Sequence, residues 1–99
     1  MEEIAVIWTE TTKKQLQEIY LYIAEESILQ ADKVFNKLVE STAGLPNHPK
    51  KHPLDKYKTN NNGDYRAYEL FHYRISYRIA DTAIYIVRIR STHKNPVEY

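Results

Sequence analysis

The chain has 99 residues, no cysteine, 14 Lys or Arg against 13 Asp or Glu, and a formal net charge of +1. This length predicts a single domain over residues 1–99, and the lack of cysteine excludes disulfides and thiolate metal sites. The first residues lack the basic segment of a signal peptide, and no stretch approaches the roughly 20 apolar residues that span a bilayer. We therefore expect a cytoplasmic protein with no membrane partner.

The first predicted elements are a short strand and a helix. Ile4, Val6 and Trp8 alternate with two more apolar residues, which predicts a strand that can be buried on both faces. From Thr9 onwards the apolar period is that of a helix, with Thr9 or Thr11 as its N-cap. The predicted apolar stripe of this helix consists of Leu16, Ile19, Tyr20 and Ile23.

A second helix follows after a short connection. Ser27 and Gln30 have the spacing of a capping box, and Gly44 and Pro46 end the helix. Because only a few residues join the two helices, they must run antiparallel as a helical hairpin. The predicted apolar stripe of the second helix consists of Ala31, Val34, Phe35, Leu38 and Val39.

The remainder of the chain predicts a loop and three strands. Residues 46–64 contain three prolines, four lysines and three consecutive asparagines, typical of a mobile loop, with a short strand or turn near Leu54. Alternating segments then predict strands at about 65–71, 73–79 and 83–90. Asp81 and Thr82 form the tight turn between the last two, whereas no Gly or Asn marks the turn around Phe71.

These elements define the expected fold class. It is α+β, in the order β-α-α-β-β-β, with the helical hairpin packed on a mostly antiparallel sheet of about four strands. In the strand 73–79, the row of Tyr73, Ile75, Tyr77 and Ile79 is expected to face the helices. The opposite face is expected to carry Arg66, Tyr68, Arg74 and Arg78 together.

The last strand is the predicted centre of the sheet, because both of its rows are largely apolar. The first strand is its candidate neighbour. One row consists of Tyr85, Val87 and Ile89, and the other of Ile84, Ile86, Arg88 and Arg90.

Charge is divided unevenly along the chain. Residues 1–49 hold four Lys or Arg against eight Asp or Glu, whereas residues 50–99 hold ten against five. The basic half is also the alternating half, which indicates an anionic partner such as nucleic acid. The competing interpretation is that these cations only keep exposed strands soluble and unpaired.

Four segments together resemble a known family. They are VIWTETTKKQLQEIYLYIAEES, the helix end GLPNHP, the strand HYRISYRI and the final IYIVRIRSTHKNPVEY. They are similar to the RelE/ParE superfamily of bacterial type II toxins over nearly the whole chain. The resemblance implies a toxin neutralised by a small cognate antitoxin, whose acidic or amphipathic segment would cover the basic face.

The superfamily contains two activities. RelE-like members cut messenger RNA on the ribosome, and the resemblance carries their strand lysines to Arg66 and Tyr68, their strand arginine to Arg74, and their later arginine and tyrosine to His93 and Tyr99. Two of these positions depart from the pattern, because Tyr68 replaces a lysine and His93 an arginine. ParE-like members instead poison DNA gyrase, and the long helical hairpin is more typical of them.

RNA cleavage needs a proton acceptor, a proton donor and fixed positive charge at the transition state. His93 is the late residue that changes protonation near neutral pH, and Arg66 and Arg74 would clamp phosphate. Tyr99 would complete the catalytic set. Tyr68, Arg78 and Lys94 are the predicted substrate-binding residues.

Three alternatives stay open at this point. The favoured one is ribosome-dependent messenger RNA cleavage, the second is gyrase inhibition, and the third is a degenerate corepressor that only binds its antitoxin. Each predicted site residue also has a purely structural alternative. No metal or other cofactor is expected, because the sequence offers no cluster of His and carboxylate ligands.

Overall fold

The computed structural model describes residues 4–99, and its elements follow the predicted order. Strand β1 covers Ala5–Trp8, and helices α1 and α2 cover Glu10–Ala24 and Ile28–Ala43. A short 3₁₀ turn at Leu45–Asn47 follows. The remaining strands are β2 at Tyr65–Leu70, β3 at Tyr73–Ile79 and β4 at Ala83–Ser91. Neither helix is long and apolar enough to cross a membrane.

Both helices begin at side-chain caps that the sequence predicts. The Thr9 hydroxyl accepts a hydrogen bond from the Thr12 amide at 3.2 Å, and the Ser27 hydroxyl accepts one from the Gln30 amide at 3.1 Å. These bonds satisfy amide groups that have no partner within the first turn. Helix α2 ends at Gly44 as expected. The two helices form the predicted antiparallel hairpin.

The four strands form one mixed sheet in the order β1-β4-β3-β2. Strand β1 is parallel to β4, and the other two pairs are antiparallel. The central position of β4 next to β1 is therefore confirmed. The hairpin covers one side of the sheet, hereafter the helix face, and the other side is the open face. The α+β fold class is confirmed.

The core lies between the hairpin and the helix face. It contains Leu16, Val34, Leu38, Leu45, Ile75, Tyr77, Ile84, Ile86 and Ile89. Phe35 and Val39, predicted in the same stripe as Leu38, are instead 36% and 37% exposed. They line a groove of about 610 Å³ between the helices, together with Trp8, Leu16 and Tyr20. We call this the helix groove.

The strand register corrects the predicted face of two residues. The turn between β2 and β3 has only two residues, Phe71 and His72, which adopt positive φ angles of 52° and 66°. This turn pairs Arg66 with Tyr77 and Tyr68 with Ile75. Because paired residues point to the same side of a sheet, Arg66 and Tyr68 lie on the helix face, opposite to Arg74 and Arg78. The expectation that all four share a face is wrong.

A bulge in β4 corrects a second expectation. Ser76 pairs with Arg88, but Tyr77 pairs with Ile86, so Val87 is an extra residue in β4. Such an insertion reverses the alternation beyond it. Ile89 therefore joins Ile84 and Ile86 in the core, and Arg88 and Arg90 lie on the open face. The uniform alternation predicted for β4 is wrong past Val87. The two-residue turn at Asp81 and Thr82 is present as predicted.

The segment after α2 is bonded to the edge of the sheet. Leu54 forms an isolated antiparallel bridge with Arg66, as the predicted short strand near Leu54 requires. The Asp55 amide donates to the Tyr65 carbonyl at 2.9 Å, and the Asn61 carboxamide oxygen accepts from the Gly63 and Tyr65 amides. This segment thus carries Asp55 onto the open face, where it meets β3.

Candidate functional site

The open face is organised around the buried carboxylate of Asp55. Its Oδ1 accepts a hydrogen bond from Arg74 Nη2 at 3.0 Å and one from the Tyr57 amide at 3.1 Å. Its Oδ2 accepts one from the Tyr99 hydroxyl at 2.5 Å. The Asp55 side chain has no exposed surface, and that of Arg74 is 15% exposed. We call Asp55, Tyr57, Arg74 and Tyr99 the Asp55 network.

The environment of this network sets its protonation. Burial alone would raise the pKa of Asp55, but the hydrogen bonds from Tyr99, Arg74 and the Tyr57 amide hold that pKa below its ordinary value of 3.8. Burial and the bond to Asp55 raise the pKa of Tyr99 well above its ordinary value of 10.0. Asp55 is therefore ionised and Tyr99 neutral at neutral pH.

The last residues of the chain lie over the open face. Arg88 donates a hydrogen bond to the Val97 carbonyl at 2.5 Å, and its guanidinium lies 4.3 Å from the centre of the Tyr99 ring. The Tyr99 amide donates to the Tyr57 carbonyl, and Thr59 donates to the Tyr99 carbonyl through its amide and its hydroxyl. Tyr99, predicted to be catalytic, is thus packed between Arg88 and Asp55.

The other predicted clamp, Arg66, is bonded to the backbone on the helix face. Its Nη1 donates to the His52 carbonyl at 2.7 Å and lies 3.4 Å from the Lys50 carbonyl oxygen. Tyr68 stacks on the His52 ring at 4.3 Å, and its hydroxyl shares a 2.7 Å hydrogen bond with Ser41. Burial raises the pKa of Tyr68 and lowers that of His52. Arg66 and Tyr68 are thus separated by the sheet from Arg74 and Tyr99.

Two further predicted residues are exposed. His93 lies in the turn after β4, where its amide donates to the Ser91 hydroxyl at 3.2 Å. Its ring centre is 4.8 Å from that of His72, at the tip of the β2–β3 turn. Arg78 is exposed on the open face, paired with Tyr65 on one side and Tyr85 on the other.

A basic rim lies at the far end of β4. It consists of Arg88, Arg90 and Lys94, which share a small cleft of about 90 Å³ with Arg74 on the open face. Arg90 and Lys94 also line a larger cleft of about 560 Å³ beside α1, the α1–β4 cleft. Within residues 4–99, no carboxylate forms an ion pair with these three cations. Burial and then the charge of Arg90 lower the pKa of Arg88.

Comparison with known proteins assigns the family. A family model described as the ParE toxin of type II toxin–antitoxin systems, parDE, matches residues 6–96. The chain belongs to this ParE family. Among solved structures, it is similar to a chain of the chromosomal ParDE toxin–antitoxin system from P. aeruginosa, with a TM-score of 0.70 at 20% identity, covering 90% of this chain and 96% of that chain. A search of curated proteins finds no match.

In this ParE family member, the residues predicted as one site occupy four places. Arg78 stands by itself on the open face. Arg74 and Tyr99 belong to the Asp55 network, with Lys94 beside Arg74 across the small cleft. Arg66 and Tyr68 lie on the helix face. His93 lines the α1–β4 cleft with Lys94. Among the described residues, no group of three or more His, Cys, Asp or Glu side chains can hold a metal ion.

Sequence reasoning missed the residue at the centre of the open face. Asp55 is the only acidic residue between Glu40 and Asp64, and it lies among four lysines. That isolation is a signal that a lone carboxylate has a partner elsewhere in the fold. The position of Arg88 and Arg90 on the open face was also missed, because the bulge at Val87 determines the face on which they lie.

Proposed function

We propose that this ParE family toxin arrests growth by poisoning DNA gyrase, and that a cognate antitoxin neutralises it. The observation that carries this proposal is the position of the two arginines that a RelE-like nuclease would use. Arg66 and Arg74 lie on opposite faces of the sheet, and each is bonded within the protein. A single phosphate cannot be clamped by both. The family description, which is that of ParE toxins, supports the same choice.

The direct test uses purified toxin, gyrase, ATP and supercoiled plasmid. We expect linear plasmid to accumulate after denaturation and protease treatment, because a poisoned gyrase is trapped with its DNA cleaved. The His93→Ala variant is expected to retain this effect, since acid–base chemistry has no part in it. The proposal would be overturned if gyrase keeps its normal activity in the presence of the toxin and the toxin instead cleaves messenger RNA on ribosomes. His93→Ala would have to abolish that cleavage.

One observation favours the second candidate, messenger RNA cleavage. The imidazoles of His72 and His93 are 4.8 Å apart, and His93 lines a cleft with Lys94. Two imidazoles beside a cation can supply a proton donor, a proton acceptor and positive charge. This candidate is tested by mapping the ends of messenger RNA on ribosomes exposed to wild type, His72→Ala or His93→Ala. It requires that wild type cleaves the message and that either substitution removes the cleavage.

We further propose that the antitoxin docks in the helix groove. The groove is lined largely by apolar side chains, and Phe35 and Val39 remain more than a third exposed at its mouth. The open face offers less room, because Asp55, Tyr57, Val97 and Tyr99 already contact its arginines. An amphipathic helix placed along α1 and α2 would bury Trp8, Phe35 and Val39.

This docking is tested with the antitoxin encoded beside the toxin gene. Phe35→Asp is expected to weaken binding by about 2 kcal/mol, roughly 30-fold, as loss of a central apolar anchor does. Leu29→Asp is the matched control, because Leu29 is on the same helix, 82% exposed and outside the groove. Weakening by Arg78→Gln instead of Phe35→Asp would show that the antitoxin covers the basic face.

A further inference from the structure

The α1–β4 cleft has a fixed frame. Strand β1 pairs with β4 only as far as Trp8 and Ile86, so the rest of β4 turns a free edge towards α1. There the Gln15 side-chain oxygen accepts a hydrogen bond from the Ile89 amide at 2.9 Å. This bond ties the helix to the strand at the base of the cleft. The cleft volume of about 560 Å³ is in the range of ligand-binding sites, about 300–1,000 Å³.

The charge of the cleft is predominantly positive. Arg90 and Lys94 line it, against a single carboxylate, Glu18. Within the described residues, neither Arg90 nor Lys94 has an acidic partner. Arg90 also stands opposite Arg74 across β3 and β4, close to a second guanidinium. Such uncompensated cations attract an anion, and arginine is suited to a phosphate group.

The walls of the cleft are aromatic. Tyr22, on α1, is 73% exposed, and Tyr73, on β3, is half-buried. Both line the cleft, above the apolar side chains of Ile19 and Ile89. Exposed tyrosines beside cations are the arrangement on which nucleic acid bases stack while their phosphates meet arginine and lysine.

We propose that the α1–β4 cleft binds a nucleoside phosphate, either free or within a DNA strand. The base lies against Tyr22 and Tyr73, and the phosphate lies at the rim, on Arg90 and Lys94. Since both cations also line the small cleft on the open face, a continuing strand has a basic path along Arg88. This binding goes beyond the proposed action on gyrase and does not depend on it.

Glu18 distinguishes this ligand from an acidic peptide. Its carboxylate lines the same cleft and would repel a second carboxylate held against Tyr22. The same carboxylate can accept hydrogen bonds from a ribose hydroxyl or from a base amino group. A nucleoside phosphate therefore satisfies the cations, the aromatic walls and the acid together.

The test is fluorescence anisotropy with a labelled single-stranded oligodeoxyadenylate and the full chain. Tyr22→Ala is expected to weaken binding at least about fivefold, the loss of one stacked base. Leu21→Ala, an exposed neighbour on the same helix, is expected to change nothing. Both side chains are largely exposed, so neither variant endangers folding.

A second pair of variants tests the phosphate contact. Lys94→Gln is expected to reduce the slope of log affinity against log salt by about 0.7, the value for one phosphate contact on a single strand. Lys33→Gln, an exposed lysine of α2 outside the cleft, keeps the wild-type slope.

Competition identifies the source of the ligand. Displacement of the oligonucleotide by AMP but not by inorganic phosphate supports a free nucleotide as ligand, and retention against AMP supports a polynucleotide. The proposal is overturned if Tyr22→Ala binds as tightly as Leu21→Ala, or if polyglutamate displaces the oligonucleotide.

Discussion

The Asp55 network and the basic rim beside it both contain arginine, but in opposite electrostatic states. Arg74 is almost enclosed, bonded to Asp55 and Glu69 and stacked on Tyr57 at 4.9 Å. Arg90, its neighbour on the next strand, has no carboxylate partner within residues 4–99. An arginine that the fold has already neutralised contributes to stability, whereas one left without a counter-charge is available to a ligand. Residue type alone does not distinguish the two.

The largest effect is expected at the centre of the network. Asp55→Ala should lower the free energy of unfolding by about 4 kcal/mol, because it leaves the buried Arg74 guanidinium without its main counter-charge. Urea denaturation measures this change. Glu69→Ala is the matched control, since it removes the exposed partner of the same arginine, and its cost should stay below about 1 kcal/mol. Equal costs would show that the network does not stabilise the fold.

A smaller effect is expected at Tyr99. Tyr99→Phe removes the hydroxyl that donates to Asp55 Oδ2 and should cost about 2 kcal/mol, typical of a hydrogen bond to a charged group. Tyr65→Phe serves as control, because Tyr65 packs edge-on against the Tyr99 ring without such a bond. If residues 97–99 do not pack on the open face, urea denaturation should give the same small loss of unfolding free energy for Tyr99→Phe and Tyr65→Phe.

A Tyr→Phe substitution on the helix face is expected to cost less unfolding free energy than Tyr99→Phe. Tyr68→Phe removes a neutral hydrogen bond to Ser41 and should cost about 1 kcal/mol in the same experiment. The difference between Tyr99→Phe and Tyr68→Phe measures what the charge of Asp55 adds to an otherwise similar contact. If Tyr68→Phe is the more destabilising, the ranking of the two faces is reversed.

Acid should weaken the Asp55 network. Because the folded pKa of Asp55 lies below its ordinary value of 3.8, its contribution is complete above about pH 4 and is lost as the pH falls through the folded pKa. The difference in unfolding free energy between wild type and Asp55→Asn should be constant from pH 7 to about pH 4 and shrink below it. A difference that grows in acid contradicts this assignment.

The smallest effect is expected at the rim. Lys94→Gln should change the free energy of unfolding by less than about 0.5 kcal/mol, because Lys94 is exposed and forms no ion pair with a described residue. Thermal unfolding followed by circular dichroism measures this change, and the Lys33→Gln variant is the control in the same experiment. A large loss would place Lys94 among the structural cations with Arg74.

Local signals in the sequence predict most of the secondary structure. Ser27 caps the second helix as predicted, Thr9 is the one of two predicted candidates that caps the first, and the turn at Asp81 and Thr82 is present. The turn at Phe71 and His72 has no such signal, because its positive φ angles are carried by a phenylalanine and a histidine and not by the Gly or Asn that mark such turns. The candidate site depends on that turn, since its length decides which side chains of β2 and β3 share a face.

The sequence by itself determined the order of the elements, the helix caps, the central strand and the resemblance to the RelE/ParE superfamily. The elements, caps and central strand follow from patterns within one segment, which alternation and capping chemistry express directly. The resemblance follows from four segments taken together. Only the tertiary structure decided that Arg66 and Arg74 lie on opposite faces, that Val87 reverses the end of β4, and that Asp55 meets Arg74. Alternation assigns faces within a strand, but the relation between strands depends on turns, bulges and pairing across the sheet.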